Sequence, residues 1–243
     1  MNVVGVIPAR YASTRFPGKP LADLGGKPLI QWTWEAARRC QTLSRVLVAT
    51  DDARIADAVR GFGGEVAMTR ADHPTGTDRL AEVARGLQAD IIVNVQGDEP
   101  FLESATIDSV VRPLLDAAAP FAMSTACVPT HDPAEAANPN VVKAVVAPNG
   151  AALYFSRAHI PYFRDTGAER VWRLHLGLYA YRRDFLLRFA AWPPTPLEQA
   201  ESLEQLRALE HGARIYVVDV PERALGVDTP EDLERARAVL SAE

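Results

Sequence analysis

The stretch VVGVIPARYASTRFPGKPL, residues 3–21, decides how the rest of the chain is read. Residues 3–7 form an apolar run of strand length. Residues 7–21 then carry Arg10, Arg15 and Lys19 among small residues and prolines. A basic loop leaving the end of a buried strand is where an α/β protein usually places a phosphate. Gly18 lets the backbone approach a ligand, Pro8, Pro17 and Pro20 restrict the loop, and Ser13 and Thr14 add short hydrogen-bonding groups. The alternative is a solvated surface loop, and charge alone does not separate the two.

Outward from this loop, strand and helix patterns alternate. GGKPLI (residues 25–30) reads as a turn into a helix with Pro28 near its first position and Ile30, Trp34 and Ala37 on one face. RVLVAT (45–50) is a second buried strand ending in Asp51 and Asp52. Ile55, Ala58, Val59 and Phe62 predict the next helix, with Gly63 and Gly64 able to end it. Residues 65–69 read as a strand, and 69–79 as a polar loop before a helix with Leu80, Val83, Ala84 and Leu87 inward. IIVNV (91–95) is another strand, running straight into QGDEP (96–100). A helix over 104–118 follows, which Pro113 should kink or restart. This rhythm predicts an α/β fold with a mainly parallel, Rossmann-like sheet flanked by helices and ligands beyond the strands' carboxyl ends.

The rhythm changes after residue 121. Strands are expected over 121–129, 141–147 and 151–156, the last two joined by the hairpin signal Asn149-Gly150, then over 173–182 and 214–220. Thr195-Pro196-Leu197-Glu198 opens one helix reaching to about residue 210. Thr229-Pro230-Glu231-Asp232 opens the last, with Leu233, Ala236 and Leu240 inward. The expected division is a nucleotide lobe over 1–125, a smaller mixed or antiparallel lobe over 126–224, and a segment over 225–243 that rejoins the first.

At 243 residues and 48% apolar content the chain can bury the core of one such domain. Its 26 basic and 31 acidic side chains, a net charge of -5, argue against a general nucleic-acid or anionic-membrane binder, so any anion site is local. Cys40 and Cys127 form no CxxC and read as buried free thiols. No run approaches the roughly 18 apolar residues of a membrane span, and the apolar run before Arg10 is too short for a signal peptide. A soluble, cytoplasmic protein is expected.

Two carboxylates fall at the same sheet edge as the basic loop: Asp98, after Gln96-Gly97 at a strand end, and Asp228, before a helix start. One or two carboxylates together with substrate phosphates is the usual way of holding Mg²⁺. Asp228 could instead serve only the helix dipole. A P-loop is excluded because Pro20 follows Gly18-Lys19, and GxGxxG, HExxH and Gly-x-Ser-x-Gly patterns are lacking. What remains is non-covalent chemistry built from cations, Mg²⁺ and positioning groups.

Nine segments occur in order: IPARYASTRFPGKPL, VATDD, MTRADHPTGTDRLAEV, VNVQGDEP, NPNVVKAV, LYFSRAHIPY, HLGLYAYR, LEQLRALEHG and GVDTPEDLERAR. Together they resemble the 3-deoxy-manno-octulosonate cytidylyltransferase (CMP-Kdo synthetase) family over nearly the whole chain. The resemblance implies a nucleotidyltransferase fold and the Mg²⁺-dependent reaction of CTP with 3-deoxy-manno-octulosonate (Kdo) to give CMP-Kdo and pyrophosphate, for lipopolysaccharide assembly. It implies that Arg10, Arg15 and Lys19 neutralise phosphate charge and that Asp98 and Asp228 hold metal. Pro8, Ala9, Thr75 and Gly76 would lie at the cytosine, and Gln96, Arg157, His175, Tyr179, Glu204 and Gln205 at the sugar. Packing alone could equally account for His175 and Tyr179, and a solvated helix side for Glu204. His175 is a candidate base. A homodimer joined through the second lobe is also implied. Two departures from the family stand out: Thr75 replaces a frequent serine, and the loop after Tyr162 is short. Rival readings are a cytidylyltransferase for 8-amino-Kdo or a sialic acid and, from another class, a non-catalytic nucleotide or sugar-acid binding protein.

Overall fold

In the computed structural model, which describes residues 1–12, 15–165, 167 and 169–242, the opening apolar run is strand β1, Val3–Ala9. Its side chains are almost all buried because both faces of the sheet are covered, the situation that favours continuous apolar strands over alternating ones. Next come a two-stranded hairpin, β2 (Asp23–Leu24) and β3 (Lys27–Pro28), and helix α1 (Leu29–Arg38), with Pro28 at its N-cap. Strand β4 (Arg45–Thr50), helix α2 (Ala53–Gly61), β5 (Glu65–Met68), α3 (Gly76–Arg85), β6 (Ile91–Asn94) and α4 (Ser104–Val111) continue the alternation. The order β6-β1-β4-β5 is parallel throughout. Ile7, Val48, Ile91 and Ile92 are fully buried in it, each stabilising the fold by roughly 1.5–3 kcal/mol.

α3 starts at Gly76, inside the run 69–79 expected to be loop. Thr75 caps it: Asp78 N–H donates to Thr75 Oγ1 at 3.1 Å, and Asp78 Oδ2 accepts from Thr75 N–H. Pro113 does restart the helix, since α4 stops at Val111 and a 3₁₀ turn, Arg112–Leu114, follows. Proline has no N–H to continue the α pattern.

β7 (Met123–Thr130), α5 (Pro133–Ala137), β8 (Lys143–Val146), β9 (Ala152–Ser156), β10 (Trp172–Arg182), α6 (Arg183–Phe189), α7 (Pro196–Glu201), α8 (Gln205–Glu210) and β11 (Ile215–Asp219) come next. β7 lies between β10, antiparallel, and β11, parallel, while β8 pairs antiparallel with β10 and β9. The Asn149-Gly150 turn joins β8 to β9, with Gly150 at φ 79°. The single helix expected over 195–210 is two helices, broken at Ser202, whose backbone is left-handed at φ 51°. A bidentate pair between Glu198 and Arg207, both largely buried, holds the two together. Polar termini and short lengths hid α5, α6 and the β2–β3 hairpin from sequence periodicity.

The last helix, α9 (Pro230–Ala242), buries Leu233 and Ala236 against Leu24, Leu29 and Val227, with Phe16, Trp32 and Phe101 at the margin. Two compact units result: residues 1–108 with 224–243, and residues 109–223. Residues 109–125, expected in the first lobe, group with the second. There Ser124 Oγ donates to the carbonyl of Val110 at 2.5 Å, tying the end of α4 to β7. Cys40 and Cys127 are buried free thiols, and burial pushes the Cys40 thiol up to about 12.

Candidate active site

β1 delivers the chain to Arg10, which is exposed, and the basic loop then folds back on itself. Gly18 N–H donates to the carbonyl of Tyr11 at 2.8 Å, closing the loop. Gly18 has φ 74°, which favours glycine, and a Cβ there would press to 3.1 Å from the Tyr11 ring. The Arg54 guanidinium covers that ring at 3.3 Å from its centroid. Ser13 and Thr14 lie outside the described residues. Gly18 also caps a 3₁₀ turn, Lys19–Leu21, whose buried Pro20 anchors it and leaves Lys19 directed at two acids.

Lys19 Nζ lies 2.8 Å from Asp98 Oδ2 and 3.1 Å from Asp228 Oδ1, with its side chain only 13% exposed. Arg15, well exposed, approaches Asp228 at 3.4 Å. Each acid is held by backbone geometry. Gly97 sits so close to β1 that a Cβ would meet the Pro8 carbonyl oxygen at 3.2 Å and Ile7 Cγ2 at 3.3 Å. The Asp98 carbonyl accepts the Val227 N–H at 2.8 Å, coupling the two acidic segments. Capping of α9 falls to other residues. Asp232 Oδ2 accepts from the N–H groups of Asp228 and Thr229, and Asp232 N–H donates to Thr229 Oγ1. The Arg235 contact, then these backbone N–H groups, hold the Asp232 carboxyl down at about 2. The Asp228 carboxylate is thus spent on Lys19 and Arg15 and not on the helix end.

Among the described residues no group of three or more His, Cys, Asp or Glu side chains could hold a metal ion. Asp98 and Asp228 nevertheless already share one cation, the Lys19 ammonium. A divalent ion bound to them would take its other ligands from water and substrate phosphate, which suits Mg²⁺.

Beside this cluster, a Cβ on Gly76 would lie 3.9 Å from Pro8 Cγ, so the structure brings together Pro8, the buried Ala9 and the start of α3. Thr75 spends its hydroxyl on the cap, donating to Asp78 Oδ2 at 2.7 Å. What holds this segment is not plainly marked in the sequence. Arg79, fully buried, pairs with Asp51 at 2.7 Å and donates to Thr69 Oγ1 at 2.6 Å, while Glu82 accepts from Arg70 N–H and pairs with His73. The helical spacing of Arg79 behind Thr75 was the available signal, obscured by the polar run around it. Gln96 follows β6, half-buried.

The other expected sugar residues belong to the second unit. His175 and Tyr179 share a face of β10 with ring centroids 5.4 Å apart, and Phe155 packs on His175 at 4.9 Å. His175 Nε2 lies 3.0 Å from Thr125 Oγ1, whose single proton is directed at the carbonyls of Leu176 and Leu178. With that proton on either carbonyl, Nε2 carries the ring hydrogen and Nδ1 is left as an acceptor. Desolvation pushes the His175 pKa down to about 3 and raises that of Tyr179 well above its ordinary value, so both rings are neutral near pH 7. A base so weak offers little as a proton acceptor in catalysis. Glu204 and Gln205 open α8, and Arg157 follows β9.

A parallel sheet with cations and acids gathered beyond its carboxyl edge defines a nucleotide-handling α/β protein. The cytidylyltransferase family model matches residues 4–215. A 3-deoxy-manno-octulosonate cytidylyltransferase from Geobacter sulfurreducens is 54% identical, covering 97% of this chain and 98% of its own. The one from Syntrophotalea carbinolica is 54% identical over 99% of each. A solved structure of CMP:2-keto-3-deoxy-manno-octonic acid synthetase complexed with CTP superposes with TM-score 0.95 at 46% identity, covering 100% of this chain and 99% of that one. The chain belongs to the 3-deoxy-manno-octulosonate cytidylyltransferase family.

Proposed function

We propose that the protein transfers the cytidylyl group of CTP to Kdo, releasing pyrophosphate and forming CMP-Kdo for lipopolysaccharide assembly. The observation that carries this reading is Lys19, held between Asp98 and Asp228 at the end of a basic loop. In the reaction the anomeric hydroxyl of Kdo attacks the α-phosphorus in line with the departing pyrophosphate, so negative charge grows on the α-phosphate oxygens and the leaving group. Lys19 offsets that charge from a fixed position, where rigid placement makes a donor effective, and Arg10 and Arg15 add positive charge from the exposed part of the loop. Asp98 and Asp228 would hold Mg²⁺, which when bound supplies positive charge to the triphosphate.

Cytosine lies against Pro8, Ala9, Thr75 and Gly76, with Thr75 acting as the cap that fixes Gly76. Gln96, Arg157, His175, Tyr179, Glu204 and Gln205 receive the acceptor, His175 through the bare Nδ1 as an acceptor for a sugar hydroxyl. The protein works in the cytoplasm as a homodimer; no helix among the described residues is long and apolar enough to cross a membrane.

Pyrophosphate release from CTP and Mg²⁺, with Kdo, 8-amino-Kdo and a sialic acid offered separately, tests the reading. Release with Kdo is expected. Absence of release with every one of the three acceptors defeats the enzymatic assignment, and release with another acid in preference to Kdo defeats the choice of substrate.

A further inference from the structure

The break between α7 and α8 places Glu204 and Gln205, and its stabilisation can be traced through Arg157 to Lys143 and Glu201, which have no assigned role. At the end of a helix the last carbonyls lack intrahelical donors. Here Arg157 supplies them: Nε donates to the Glu201 carbonyl at 2.7 Å and Nη2 to that of Ser202 at 3.4 Å, while Nη1 donates to Pro139 O at 3.1 Å. With these carbonyls satisfied, the chain turns through the left-handed Ser202 and restarts as α8.

Arg157 is in turn held by its main chain from both sides. Its N–H donates to Glu201 Oε2 at 2.9 Å, and the other oxygen of that carboxylate accepts from Ser156 Oγ at 2.5 Å. Its carbonyl accepts from Lys143 Nζ at 2.7 Å. Lys143 is fully buried, and its three ammonium hydrogens match three carbonyls, the others being Asn138 at 2.9 Å and Val141 at 2.7 Å. Beyond the restart, Gln205 is 5% exposed and its Nε2 has no hydrogen-bond partner among the described residues. A buried amide donor left open is costly unless a ligand or water takes it.

We infer that Lys143 and Glu201 are positioning residues for the acceptor sugar: by fixing Arg157 as the cap of α7, they set where α8 begins and hold Gln205 Nε2 ready for a sugar oxygen. This rests on the assignment of Glu204 and Gln205 to Kdo. Neither Lys143 nor Glu201 need touch the substrate.

Lys143→Met and Glu201→Ala test it by steady-state kinetics with each substrate varied in turn. Because a sugar oxygen deprived of the Gln205 donor loses a binding hydrogen bond, KM for Kdo should rise about tenfold or more. KM for CTP and kcat at saturation should change by less than about threefold, since their groups lie in the other unit. Calorimetric binding of CTP reports whether each variant is folded. Should Lys143→Met fail to fold, Glu201→Ala and the milder Ser156→Ala carry the test. Unchanged KM for Kdo in folded variants, or equal rises for both substrates, overturns the inference. A wild-type protein that makes no CMP-Kdo would instead defeat the proposed function, so the two failures are distinguishable.

Discussion

Replacing Lys19 with methionine keeps most of the side-chain volume and removes the charge between Asp98 and Asp228. In the nucleotide-free protein the loss should be small. Lys19 is 13% exposed but the two acids are 35% and 48% exposed, so water screens their charge and each pair is worth about 0–1 kcal/mol. Arg15, at 3.4 Å from Asp228, remains as a partial counter-charge. A melting temperature within a few degrees of wild type is therefore expected. Catalysis should suffer far more. As pyrophosphate departs, charge collects where water is excluded, and one preorganised donor is then worth on the order of 10²- to 10³-fold in kcat, about 2.7–4 kcal/mol. The assay is pyrophosphate release at saturating CTP and Kdo, with thermal denaturation alongside. Near-normal turnover by folded Lys19→Met would refute a role in the transition state. A large loss of stability would show that the ammonium holds the acidic segments together in the ground state.

Three further outcomes are expected. Gly97→Ala would press a methyl group to 3.2 Å from the Pro8 carbonyl, so stability should fall by about 1–3 kcal/mol and activity with it, as denaturant titration and turnover would reveal. Arg79→Met would remove the buried partner of Asp51 and the donor to Thr69, costing about 3 kcal/mol and raising KM for CTP; an unchanged denaturation midpoint would rule out this anchoring. His175 has a folded pKa of about 3, below its unfolded value of 6.5, so the unfolded chain binds the extra proton. This contribution to stability is lost as pH falls from 6.5 toward 3, and His175→Gln should show a shallower decline over that window in denaturation midpoints measured against pH.

Much of the site was legible because its parts follow strand ends. An apolar run into a basic, proline-restricted loop, and another into Gln96-Gly97-Asp98, announce a parallel sheet's carboxyl edge without three-dimensional information. Arg79 was not legible in the same way. In TRADHPTGTDR it looks like one more solvated charge, and only the early start of α3 turns it inward onto Asp51. The α7–α8 break was hidden too, because residues 195–210 have helical composition throughout and the interruption is imposed from a distant strand end through Arg157.

By itself, the sequence determined the alternation of strands and helices, the family, and the identities of the cations and acids, since these depend on local periodicity and residue chemistry. Tertiary structure decided which charges meet. Docking of Leu233 and Ala236 onto Leu24 and Leu29, together with the Val227 N–H bond to the Asp98 carbonyl, brings Asp228 from the far end of the chain to Lys19. No local pattern encodes a contact between residues more than two hundred positions apart; it exists because apolar burial and one backbone hydrogen bond hold both segments against the same strand ends.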